Sequence, residues 1–210
     1  MNFDQITLKN GLRIIGERIP HFRSVSVGFW VGSGSQYETP DEAGLSHFLE
    51  HMVFKGTEKR TTRQIAEEMD KVGGQLNAFT SKECTCFYAK VVDEHLPLAM
   101  DVLSDLVTAP IFDPAELEKE KGVVIEEINM SADDPEDSVH ELLMLANYGD
   151  QPVARPILGT EEKIAAYSSE DLRAYWKKMY RPQNTVLALA GNYDWNAVVA
   201  LAEKLVAGRV

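Results

Sequence analysis

The sequence predicts an α+β domain, the class that segregates helices to one face of a largely antiparallel sheet. Three observations predict it. Strand-like runs come in groups, three before residue 32 and two between residues 75 and 92, instead of alternating with helices. From Asp93 onward the apolar spacing changes to a helical period. No linker, low-complexity tract or internal repeat divides the 210 residues, a length that suits one large domain or two small ones.

Each element has a local cause. Ile6-Thr7-Leu8 and the run from Leu12 to Ile19 flank Asn10-Gly11, a hairpin turn. A third strand, Ser24 to Val31, turns Val25, Val27, Phe29 and Val31 inward and Ser24, Ser26, Gly28 and Trp30 outward. A Gly/Ser-rich loop then leads into a helix bearing His47, which Gly56 ends after Lys55. Thr61-x-x-Gln64 is a capping box opening a helix through Lys71, and Gly73-Gly74 stops it. Strands follow at 75–80 and 83–92. Leu96, Met100, Leu103 and Val107 share one helical stripe ending before Pro110. A helix spans 113–130 with Pro114 in its first turn, and another follows Pro135. Beyond a loop carrying Pro152 and Pro156 come a helix at 169–180, a strand at 185–190 and a helix from Asp194. The count is about six strands and six or seven helices.

Composition narrows the class. Hydrophobic content of 44% and charged content of 26% describe a soluble globular chain, and no run approaches the ~18–20 apolar residues of a membrane span. A net charge of −12 argues against nucleic acid or an anionic membrane as partner and mildly favours basic substrates, although solubility is the better account of most of these charges. The N-terminus enters a strand pattern at once, leaving no room for a signal or transit peptide, so a bacterial cytoplasmic location is expected. Cys84 and Cys86 fall on one face of one strand, poorly placed for an unstrained disulfide, and read as small strand residues.

The chemistry concentrates at His47-Phe-Leu-Glu50-His51. At i and i+4 on a helix, the two imidazoles share a face with Cβ atoms about 5–6 Å apart, a spacing that suits two nitrogen ligands of one zinc. Glu50 lies about 60° round the helix from His47, beside the metal without having to bind it, where a carboxylate can take a proton from water. The order His-x-x-Glu-His inverts the commoner His-Glu-x-x-His and is a zinc signature in its own right. On spacing alone, a solvated or core-satisfied helix face accounts for the same triple.

A catalytic zinc takes three protein ligands. His21, His95 and His140 are each isolated in sequence. Stepping about 100° per residue from Leu117 puts Val124 and Ile128 within about 20° of it, Glu120 and Glu127 about 60–80° to one side, and Glu126 about 180° away. Two carboxylates on the shoulder of a buried stripe are costly unless cations or donors meet them. A metal at Glu127 and an imidazole N–H at Glu120 would do so. A helix whose acidic shoulder stays wet fits the phasing as well.

Gly44-Leu-Ser-His47-Phe-Leu-Glu50-His51-Met-Val-Phe-Lys-Gly-Thr57, followed by Glu127, resembles the inverted zinc metallopeptidases of the pitrilysin group, which include the mitochondrial processing peptidase and insulin-degrading enzyme. Asn10-Gly-Leu-Arg13, the run Gly73 to Thr80, Arg155-Pro-Ile-Leu-Gly159, Tyr180-Arg-Pro-Gln-Asn184 and Gly191-Asn192 extend the likeness along the chain, closest to bacterial processing-peptidase homologues. The resemblance implies a zinc endopeptidase half holding one Zn2+ per chain. It implies His47, His51 and Glu127 as ligands, Glu50 as the base and Glu120 as the acid supporting a ligand histidine. It also implies that the strand Leu76-Asn77-Ala78-Phe79 pairs with an extended peptide, mainly through backbone groups of Asn77 and Ala78. Asp137 and Glu141 resemble acidic contacts to a substrate arginine, although a solvated acidic face fits them too. A second, homologous half without zinc, in cis or in trans, is expected to help hold the peptide and close the chamber. Two other functions compete: a non-catalytic assembly subunit of the same fold, and an S-ribosylhomocysteinase-like lyase in which Cys84 or Cys86 would be the third ligand.

Overall fold

The computed structural model describes residues 3–206. Its hairpin is β1 (Phe3–Thr7) and β2 (Arg13–Arg18), closed where Leu8 N–H donates to the Leu12 carbonyl and Asn10 Oδ1 accepts from Leu12 N–H. β3 (Ser24–Val31) buries Val25, Val27, Phe29 and Val31 as the alternation predicts, and leaves Trp30 exposed. β4 (Gln75–Thr80), β5 (Thr85–Val92) and β6 (Thr185–Gly191) complete one six-stranded sheet in the order β1-β2-β6-β3-β5-β4. Every pairing is antiparallel except β2 with β6, which is parallel. The long connection between β5 and β6 allows this, because a parallel neighbour needs a crossover and not a tight turn.

Helices cover the face that carries Ile14, Val27, Phe29, Phe87, Ala89, Leu187 and Leu189. They are α1 (Leu45–Val53), α2 (Thr62–Asp70), α3 (Leu96–Thr108), α4 (Pro114–Asp133), α5 (Pro135–Tyr148), α6 (Glu161–Ala166), α7 (Ser169–Met179) and α8 (Trp195–Val206). α6 is not among the helices expected from the sequence, being six residues long and too short to show a period; its cap Thr160, which accepts from Lys163 N–H, is its local signal. The His47 helix ends at Val53, short of Lys55, while Gly56 takes a φ of 133° in the turn beyond. The capping box at Thr61 and Gln64 forms as read. No helix among the described residues is long and apolar enough to cross a membrane.

The sheet's other face is open, with Trp30, Phe79 and Tyr88 exposed and in ring contact. β4 forms one edge, paired with β5 on one side only. α1 packs against β4, β5 and α4, so the helix with the histidines lies between the sheet edge and the acidic helix.

Candidate metal centre

α1 is held at both ends. Its N-cap, Gly44, has a φ of 86°, and a Cβ there would stand 2.7 Å from the Leu158 carbonyl, so only glycine fits. Glu38, buried at 2% exposure, accepts from the N–H groups of Gly44 at 2.8 Å and Ser46 at 2.7 Å, filling orphan donors of the helix's first turn. Beyond the C-terminus, Arg60 bonds Glu68, Asp101 and Asp105 and pins the turn back onto α2 and α3. Phe48, Leu49, Met52 and Val53 are wholly buried, leaving His47, Glu50 and His51 on the remaining side, which α4 meets.

There the donors converge. His47 Nε2 and His51 Nε2 approach to 3.2 Å, and Glu127 Oε2 stands 3.7 Å and 3.5 Å from them. Ligands about 2.0–2.1 Å from one tetrahedral ion lie about 3.4 Å apart, so this spacing fits a zinc centre. His51 Nδ1–H donates to Glu120 Oε1 at 2.8 Å, directing the Nε2 lone pair at the cluster. His47 Nδ1 is buried without a partner. If it carries the proton, two lone pairs face each other at 3.2 Å, which asks for a cation between them. Burial, then the neighbouring His51, holds the His47 pKa down to about 4, so its imidazole is neutral at neutral pH. For His51, burial pulls the pKa down but Glu120 and Glu127 outweigh it, and the net shift is upward. Glu50 is shifted upward by burial, against the hydroxyl of Thr80, which donates to its Oε2 at 2.6 Å.

The phasing of α4 holds: Glu120 is buried, Glu127 half-buried and Glu126 exposed. Two contacts escaped the sequence reading. Lys55 Nζ reaches Glu120 Oε2 at 2.6 Å, and Thr80 reaches Glu50. The capping and stripe patterns carry no trace of either, since both join distant segments. Among the described residues the only group of His, Cys, Asp and Glu spaced for a metal is His47, His51 and Glu127. Cys84 and Cys86 are free thiols outside it, with Cys84 in the turn before β5. Neither supplies the sulfur ligand the lyase reading requires.

Beside the cluster lies an open cavity lined by His47, Glu50 and Glu127, by Phe79 and Thr80 of β4, and by Asp137, His140, Glu141 and Met144 of α5. Asp137 and Glu141 thus face the same space as Glu50, one helical turn apart. Ser131 donates to Asp137 at 3.1 Å. On β4, Leu76 and Ala78 are half-buried toward the helices. The N–H of Ala78 is taken by Asn77 Oδ1 at 2.8 Å. His21 stacks on Phe22 and His95 lies near Glu94, both outside the cluster; His140 alone of the isolated histidines lines the cavity.

Residues 13–161, which contain every one of these donors, match the family described as Insulinase (Peptidase family M16). The chain belongs to Peptidase family M16. Residues 166–209 of this M16 chain match a second family, the Peptidase M16 inactive domain, and carry none of the cluster. A Bacillus subtilis protein named uncharacterized zinc protease YmxG is 53% identical over 186 residues, covering 89% of this chain and 46% of its own length. One from Streptomyces coelicolor, uncharacterized zinc protease SCO5738, is 45% identical over 193 residues, covering 92% and 42%. An M16-like peptidase from Alicyclobacillus acidocaldarius superposes with a TM-score of 0.88 at 27% identity, over 100% of this chain and 50% of that one. A Helicobacter pylori protease shares the fold, with a TM-score of 0.94 at 22% identity over 99% and 50%. The chain spans about half the length of the curated relatives it matches.

Proposed function

We propose that this M16 chain is the zinc-binding, catalytic half of an endopeptidase that cuts peptides or unfolded segments. The observation that carries the reading is the convergence of two imidazole nitrogens and one carboxylate oxygen within 3.2–3.7 Å of one another, with a second carboxylate, Glu50, on the cavity side. His47 and His51 through Nε2, and Glu127 through Oε2, would hold one zinc ion. Zinc at such a site supplies a Lewis acid that polarises a carbonyl and lowers the pKa of water.

The chain's own groups do the rest. Glu50, partly shielded from solvent, would act as a carboxylate, taking a proton from the attacking water and returning it to the leaving amine nitrogen. β4, a sheet edge with one free side, offers backbone groups to an extended peptide. A pairing strand would displace the Asn77 side chain from the Ala78 N–H. Asp137 and Glu141 on the cavity wall favour a basic side chain near the cut, in keeping with the net charge of −12. A second, homologous half, from the same polypeptide or another, completes the chamber; the relatives' twofold greater length supports this.

The experiment is Glu50→Gln in the assembled peptidase. Cleavage of an unstructured basic peptide should fall by at least about 10²-fold while zinc remains bound one per chain, as expected for loss of a general base. Wild-type turnover with zinc in place would refute the mechanism. Zinc content near zero in the wild type would favour the assembly-subunit reading.

A further inference from the structure

The base sits at the end of a hydrogen-bond chain whose donors can be assigned one by one. Thr85, fully buried, donates its only hydroxyl proton to the Ser33 carbonyl at 2.9 Å. Thr80 Oγ1 lies 3.3 Å from Thr85 Oγ1 and 2.6 Å from Glu50 Oε2. An ionised carboxylate only accepts, so the Thr80 proton is committed to Oε2. Among the described residues no donor reaches Glu50 Oε1, which is not buried, and Glu50 lines the cavity.

We propose that Thr80 is a positioning residue for Glu50: its hydroxyl pins Oε2 and so makes Oε1 the oxygen that handles the proton. The inference rests on the proposed peptidase reading and adds to it a coupling between substrate strand and base. Thr80 is the last residue of β4 and shares its helix-facing side with Leu76 and Ala78. Register alone puts it there. A slip of one residue in the pairing Phe79↔Cys86 and Thr80↔Thr85 would turn the hydroxyl to the open face of the sheet. The edge on which a peptide would lie and the orientation of the base are therefore fixed by one strand.

Thr80→Val keeps the branched shape a strand prefers and removes only the donor; Thr80→Ser keeps the donor. In the assembled peptidase, Thr80→Val should lower kcat about tenfold or more, with KM and zinc content unchanged, because a misaimed base loses its near-attack geometry. Thr80→Ser should stay within about twofold of wild type on the same ground. Unchanged kcat in Thr80→Val would overturn the inference, as would a rise in KM alone, which would make Thr80 a substrate contact. If Glu50→Gln, run alongside, cleaves at the wild-type rate, the peptidase reading itself fails. A crystal structure of the metal-loaded Thr80→Val chain gives a readout free of turnover. The Glu50 carboxylate should leave its single orientation, and an unmoved carboxylate would overturn the assignment.

Discussion

α1 and α5 border the same cavity and are built in opposite ways. Six of the nine residues of α1 are buried, and Glu38 and the Arg60 cluster anchor its two ends. None of the fourteen residues of α5 is buried; Val139, Leu142, Leu143 and Leu145 are each more than half exposed. The difference separates two tasks. Under the proposed function, side chains that would meet one ion within tenths of an ångström ride on a helix the core over-determines, whereas Asp137 and Glu141, which would need only to present charge, ride on one held by few contacts.

The contrast can be broken by mutation. The largest effect is expected at Phe48, fully buried under α1: Phe48→Ala should cost about 3–5 kcal/mol in urea unfolding, as for other large core truncations. A loss below about 1 kcal/mol would show that α1 is not over-determined.

Next comes the anchor at its exit. Arg60→Met removes the cation paired with Asp105, whose fully buried side chain keeps the hydroxyl of Thr57, and should cost about 3 kcal/mol. The change also has a pH signature. For Asp101, burial raises the pKa, but the bonds and charge of Arg60 outweigh it, so the folded value lies below the ordinary 3.8. A depressed carboxylate contributes stability that is present above the unfolded pKa and lost as pH falls through the folded one. Stability should therefore fall as pH drops below about 4, and the Arg60→Met chain should show a shallower acid limb. Parallel acid limbs in urea titrations from pH 6 to pH 3 would rule this out.

A smaller effect is expected at Lys55. Its ammonium holds the second oxygen of Glu120, whose first oxygen orients His51. Lys55→Met leaves a carboxylate buried at 5% exposure with one oxygen unpaired, and the zinc Kd should rise about tenfold. Loss of a positive charge near the ion acts in the opposite sense, so a tightened Kd in chelator competition would mean that Lys55 acts only through its field. The smallest effect belongs to α5: Leu142→Ala should change the stability of this chain by less than about 0.5 kcal/mol. A cost above about 1 kcal/mol would show that something already covers that helix.

Much of the centre could be read in advance because it is local. His47, Glu50 and His51 lie within one turn and a half of helix, and Glu120 and Glu127 two turns apart, so a count of 100° per residue places them. The strands of β3 and β4 were equally plain, since alternation survives wherever one face is buried. The parallel partnership of β2 with β6 was not, because residues more than 150 positions apart leave no periodic mark on each other.

The residue order alone settled which side chains share a helix face, hence which pairs can act on one ion, because rise and rotation per residue are fixed by the peptide backbone. What it left open is which faces meet. The approach of α1 to α4 and of Thr80 to Glu50, and the ammonium of Lys55 on Glu120, depend on how the sheet and the helices on its covered face fill space. Close packing decides this over the whole chain at once, and no short stretch of sequence contains it.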